Sequence, residues 1–156
     1  MRIAVSGEPP CDLRRVRAAL RAALRPLKLP PESEIGLAFV DDPTMRTLNR
    51  RHRGVDRTTD VLAFGQTIPP GVKGADARPH LALDADGVLR VGEVVISAAQ
   101  AARQARRRRQ PIERAVAFLA AHGGLHLIGY EDETSAGYRE MVRLGQDATR
   151  QKTVKR

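Results

Sequence analysis

Two histidines four residues apart open the stretch His122-Gly-Gly-Leu-His126-Leu-Ile-Gly129-Tyr-Glu-Asp132. On a helix that spacing sets both imidazoles on one face, one turn from each other. Both then reach a single ion. Gly129 is the residue type that ends helices and turns the chain, and Asp132, three residues on, swings a carboxylate back to the same ion. Two nitrogens and one oxygen with a fourth position open form the donor set of a catalytic zinc site rather than a closed structural one.

The histidines extend a stripe of Ile112, Ala115 and Leu119, which step by three or four. One histidine on such an apolar face would be read as a core residue held by backbone carbonyls. Two of them, followed by Gly129 and Asp132, read as a metal site at a helix C-terminus. Gly123 and Gly124 lie inside this helix, where each costs about 1 kcal/mol relative to alanine. Their presence implies a close approach to the backbone by another element or by a substrate. Metzincin proteases share the His-x3-His-x2-Gly-x2-donor spacing, but there a glutamate follows the first histidine as general base. That position is Gly123 here, which disfavours peptidase chemistry.

The elements that must position these residues follow from periodicity. Residues 2–6 alternate as a strand. Residues 13–27 place Leu13, Val16, Leu20, Leu24 and Leu27 at helical spacing, with Asp12 as N-cap. Residues 35–40 read as a second strand. Asp42 caps a short helix with Pro43 at its first position, and Met45 and Leu48 form its apolar side. Residues 60–64 read as a third strand and 66–79 as a surface loop. Residues 80–83 and 88–97 flank Asp86-Gly87 as a hairpin. Ser97 caps a helix running through Arg106–Arg109, Pro111 starts the histidine helix, and a last helix spans 134–150. The order predicts an α+β fold: one domain over 1–150, a small mixed sheet packed with about five helices, and a polar tail at 151–156.

The chain has 156 residues, enough for one sizeable core, and 42% are hydrophobic, which argues against disorder. Its formal charge of +9 points to a polyanionic partner, with a bias of composition toward arginine as the bland alternative. One cysteine, Cys11, rules out an internal disulfide and a multi-cysteine zinc site. No apolar run approaches membrane-spanning length, and residues 1–6 lack a signal-peptide core, so a cytoplasmic protein with no membrane partner is expected.

The histidine segment resembles the signature of the YbeY family of bacterial rRNA maturation endoribonucleases, His-Gly-x-Leu-His-Leu-x-Gly-Tyr-Asp-His. Two further stretches agree. Asn49-Arg-Arg-His52-Arg53-Gly54 with Thr59-Asp60-Val-Leu-Ala-Phe64 is similar to the family's Leu-Asn-x-x-Tyr-Arg-Gly and Thr-Asp-Val-Leu-Ser-Phe block. Leu89-Arg-Val-Gly92-Glu93-Val-Val-Ile-Ser97 is similar to its Leu-Gly-Asp-Ile-Val-Ile-Ser strand. The resemblance covers roughly residues 35–140. It implies one zinc ion, a single-stranded RNA substrate, phosphodiester hydrolysis, and roles in small-subunit rRNA maturation and ribosome quality control. Implied partners are rRNA, small-subunit ribosomal proteins and a ribosome-associated GTPase.

The chain departs from that signature at the third ligand, where the family has histidine and this sequence has Asp132. A carboxylate is an acceptable zinc ligand, but it lowers the positive charge of the site and broadens metal choice toward harder ions. Glu131 and Glu133 flank it as substitute ligands. His52 stands where the family has tyrosine, as a fourth donor, a proton shuttle or a surface change. The ion would activate a water or polarise a phosphoryl oxygen. Arg53 matches the family's functional arginine, and its planar fork suits a phosphate; a salt bridge to Asp56 is its structural alternative. The general base is Glu131, Glu133 or Asp60.

Arg103 with Arg106, Arg107, Arg108 and Arg109 makes a positive helix end, either solvated or set against RNA phosphates. Aromatic residues are only 3% with no tryptophan, so a broad base-stacking platform is not expected. Three functions remain open: a zinc-dependent endoribonuclease; an RNA- or ribosome-binding assembly factor with weak or no cleavage and a structural metal; and a metal-dependent peptidase.

Overall fold

Four short strands made mostly of β-branched and other apolar residues carry the sheet. They are β1 (Arg2–Ser6), β2 (Ser33–Val40), β3 (Val61–Gly65) and β4 (Leu89–Ser97). They lie in the order β1-β2-β4-β3, with β1, β2 and β4 parallel and β3 antiparallel to β4. Among the described residues five helices surround it: α1 (Arg14–Leu24), α2 (Asp42–Arg53), α3 (Ala98–Arg107), α4 (Ile112–Leu127) and α5 (Ser135–Thr149). Short 3-10 segments occupy Arg25–Leu27 and Gly74–His80. The computed structural model describes residues 1–150, so the tail expected at 151–156 lies outside the described residues. The fold is α+β with a mixed sheet, as the element order implies.

Central β4 decides which face of the sheet becomes the main core. Its side chains should alternate strictly, yet Leu89, Val91, Val94 and Ile96 all enter the same core. The phase changes at an irregularity where Glu34 pairs with Arg90 but Ile35 pairs with Gly92. Gly92 adopts φ 146°, and a Cβ there would lie 2.4 Å from the Phe64 carbonyl oxygen. The extra residue therefore re-aims the strand, as bulges do. On that face α1 and α4 contribute Leu20, Val116, Ala120 and Leu125. On the opposite face α2 seats Met45 against Ala38, Leu62 and Val95.

Local expectations fail at three places. The hairpin at Asp86-Gly87 forms its turn, with Asp84 N–H donating to Val88 O at 3.0 Å, but no strand follows over 80–83. β4 pairs with β2 on one edge and, from Gly92 to Ile96, with β3 on the other. The Gln66 side chain instead takes both backbone groups of Ala82 and the Arg90 carbonyl. At α2 the cap is Asp41, which accepts from Thr44 N–H at 2.8 Å, rather than Asp42. Asp42 is thereby released to bind the Ser97 hydroxyl at 2.9 Å and the Arg103 guanidinium at 2.9 Å. At α1 the cap residue is Leu13; Asp12 accepts from Arg14 N–H at 2.9 Å without serving as the cap.

α4 is wedged between α1 and the sheet, and its paired glycines explain how. A Cβ on Gly123 would stand 2.5 Å from Val94 Cγ1, and one on Gly124 would stand 2.9 Å from Leu20 Cδ1. The close approach is therefore made by other elements. No helix among the described residues is long and apolar enough to cross a membrane.

Candidate metal centre and its flanking clefts

The last turn of α4 presents His122 and His126, with ring centroids 4.8 Å apart. The helix then ends as the sequence implies. Gly129 takes φ 96°, its N–H donates to His126 O, and Tyr130 N–H donates to Leu125 O. A side chain at Gly129 would collide with the Val72 carbonyl. This reversal returns Asp132 to the histidines. Asp132 Oδ2 lies 3.2 Å from His122 Nε2 and 3.4 Å from His126 Nε2.

The three residues suit a metal ion. Their donor atoms all lie within 4.8 Å of one another. Bonds of about 2.0–2.2 Å at tetrahedral angles place ligand atoms roughly 3.3 Å apart, which matches the two spacings to Asp132. His126 Nδ1 donates to the Tyr130 carbonyl at 3.1 Å, so its Nε2 lone pair points into the site. Burial holds the His122 imidazole below its ordinary pKa, and the neighbouring His126 adds to this; the bond to Asp132 opposes it. His122 is therefore neutral at pH 7, the form that ligates. Its Nδ1 is buried without a partner among the described residues, and Phe118 lies beside the ring at 6.0 Å.

Arg53 ends α2 at Gly54 and opens onto the same cleft as the three donors, a space of about 400 Å³. The alternative partner suggested for it is taken: Asp56 binds Arg46 at 2.9 and 3.2 Å. Arg53 is exposed and has no ion pair among the described residues. His52 also lines this cleft and stacks edge-on against Phe64, with centroids 4.0 Å apart.

The carboxylates named as bases separate clearly by their surroundings. Glu131 accepts from Glu133 N–H at 2.6 Å and from the Thr134 backbone and hydroxyl at 3.1 and 2.8 Å. These bonds, the Thr134 hydroxyl first, hold its pKa below the ordinary range, and its carboxylate braces the turn into α5. Asp60, just before β3, lines the cleft beside His122. Its Oδ2 accepts from Gln104 Nε2 at 3.0 Å and its Oδ1 from Val61 N–H at 2.8 Å. Glu133 lies on the same cleft wall.

The arginine run does not continue one helical face. α3 stops at Arg107, Arg108 caps it, and Arg109 adopts a left-handed φ of 49°. Arg106 and Arg107 sit on the last turn, and of the run only Arg108 enters a cleft beside the metal donors. Arg103 is committed to Asp42. That second cleft also gathers Arg15, Arg114, Arg150 and Tyr138, which sequence reasoning passed over. Arg114 had a signal, since it precedes Phe118 by four residues and His122 by eight. Arg15 and Arg150 come from distant segments, and only the packing of α1 and α5 on α4 brings them there. Cys11 is half-buried against the core and is not part of the metal cluster.

Comparison with known proteins agrees with this arrangement. The family described as Endoribonuclease YbeY matches residues 12–152. An Endoribonuclease YbeY from Moorella thermoacetica is 40% identical over 83% of this chain and 79% of its own. One from Desulforamulus reducens is 36% identical over 84% and 79%. The solution structure of TM1509 from Thermotoga maritima shares the fold at a TM-score of 0.57 and 20% identity, over 94% of this chain and 86% of that one. With a family match spanning nearly the whole sequence, the chain belongs to the Endoribonuclease YbeY family.

Proposed function

We propose that this protein is a metal-dependent endoribonuclease that holds one zinc ion on His122, His126 and Asp132. It cleaves single-stranded RNA in the cytoplasm, during small-subunit rRNA maturation and ribosome quality control. Small-subunit ribosomal proteins and a ribosome-associated GTPase are its proposed partners. One observation carries this reading: two imidazoles and a carboxylate converge at the edge of an open cleft whose other wall offers an arginine with no ion pair among the described residues. Family membership supplies the substrate class.

Held by His122, His126 and Asp132, an ion would supply Lewis acidity toward a phosphoryl oxygen. Arg53 binds the non-bridging phosphate oxygens through its guanidinium fork. Asp60 receives the proton released by the attacking hydroxyl as its oxygen bonds to phosphorus, with the Gln104 amide fixing its Oδ2, while the P–O bond to the 5′ oxygen breaks and the leaving alkoxide takes a proton from solvent. Glu131 orients the Asp132 loop and does not exchange protons. Asp132 adds a negative charge where the family signature carries histidine. That difference favours, as the second reading, an assembly factor that binds RNA and cleaves it weakly. A peptidase has no such support: Gly123, packed on Val94, offers no carboxylate at the metzincin base position.

Cleavage of a labelled single-stranded RNA tests the proposal. Activity is expected to vanish with chelator and to return with zinc. Arg53→Ala is expected to lose roughly 10- to 100-fold in kcat/KM, the scale of a charged hydrogen-bond pair of about 1.5–3 kcal/mol. RNA binding without cleavage in the zinc-loaded wild type would transfer support to the assembly-factor reading.

A further inference from the structure

Three residues at the metal centre, Asp60, His122 and Asp132, line both clefts. The centre is thus a saddle between them. Arg53 stands on one side. The cleft on the other side encloses about 330 Å³ and is built from α1, α4, α5 and the turn after α3.

Its rim is strongly cationic. Arg15, Arg108, Arg114 and Arg150 arrive from four separate segments. Among the described residues Arg15, Arg108 and Arg114 have no ion pair and Arg150 meets only the exposed Asp147, at 3.1 Å. Gathering like charges costs free energy that an anion would offset. The floor is apolar, formed by Ala115, Phe118 and Leu119 of α4. α5 closes over Phe118 because position 145 is glycine; a Cβ there would lie 2.9 Å from the ring. Tyr138 lines the same cleft and is 55% exposed, one of two large apolar side chains left open among the described residues. A flat ring beside a cationic rim matches a base with its phosphate.

We propose that this cleft is a nucleotide subsite for the RNA strand on the side of the scissile phosphate away from Arg53, with phosphates on Arg108 and Arg114 and a base against Tyr138. The proposal rests on the RNA-cleaving function given above. The strand then passes over the metal centre from cleft to cleft. It must extend on both sides of the cut, which suits internal cleavage.

The test measures the affinity of zinc-loaded protein for a fluorescent single-stranded RNA by anisotropy before turnover, across a salt series. Arg108→Ala with Arg114→Ala is expected to weaken binding at least tenfold. It should also reduce the salt slope by about 1.4, from two lost phosphate contacts on a single strand. Tyr138→Ala is expected to weaken binding at least fivefold and Tyr138→Phe to leave it unchanged. Arg2→Ala with Arg78→Ala, outside both clefts, removes the same charge and should change binding little. Zinc content should stay equal throughout. Wild-type binding matched by the Arg108/Arg114 variant, or an equal loss in the Arg2/Arg78 control, overturns the subsite and leaves the proposed function standing. AMP binding as tightly as the strand also overturns it, in favour of a free-nucleotide site. A wild type that neither binds nor cleaves single-stranded RNA overturns the proposed function and the subsite with it.

Discussion

At the scale of single residues, roles divide by what each polar atom already touches. Glu131 and Asp60 are both carboxylates beside the centre. Glu131 spends its oxygens on three donors of its own loop and lines neither cleft, whereas Asp60, held by Gln104 and Val61, lines both. Sequence order offers Glu131, Glu133 and Asp60 as bases without separating them. It conveys nothing about the Thr134 hydroxyl, which claims Glu131 only once α5 begins. His122, His126 and Asp132 were legible because helical spacing and a helix-ending glycine are local facts. Cys11 shows the same division. Burial, aided by Glu113 and Asp12, pushes its thiol up to about 11 from 9.0. The folded value is raised, so its contribution to stability is complete below pH 9 and is lost as pH rises through about 11. At pH 8.5 the native thiol should hold roughly a hundredth of the thiolate of the unfolded chain. Iodoacetamide should accordingly modify it at least tenfold more slowly in buffer than in denaturant; equal rates would contradict this placement.

At the scale of elements, α4 carries the site and the packing constraint together. Gly123 faces the sheet one residue after His122. Replacing it with alanine should gain about 1 kcal/mol of helix propensity. Forcing a methyl against Val94 costs about 1–3 kcal/mol in a filled core. The contact of 2.5 Å is with a branched side chain that is itself buried, so the cost prevails. Gly123→Ala is expected to lower the melting temperature and weaken zinc affinity, because relief requires α4 to move and His122 with it. A variant as stable as the wild type, with unchanged affinity, would contradict that. The helices were readable from periodicity. Their ends were not always: Asp41 and Asp42 both suit a cap, and tertiary demand from Ser97 and Arg103 selects between them. The missing strand at 80–83 has a similar cause, since the Gln66 side chain takes the Arg90 carbonyl and both backbone groups of Ala82 where a hairpin partner would pair.

At the scale of the whole molecule, the charge of +9 gains direction from the fold. α1, α4 and α5 collect distant arginines on one side of the metal centre, and α2 sets Arg53 on the other. Composition pointed to a polyanionic partner, and the scarcity of aromatics argued against a stacking platform. The structure places one of the two tyrosines in the arginine-lined cleft all the same. Such convergence is a property of packing, with no period in the chain to announce it. Everything in the proposed reaction depends on the saddle between the clefts holding an ion. The decisive measurement is therefore elemental analysis of the purified protein, wild type beside Asp132→Ala. About one equivalent of zinc in the wild type, sharply reduced in a variant that remains folded, is the expected result. Little metal in either protein, even after zinc is supplied, would contradict the account.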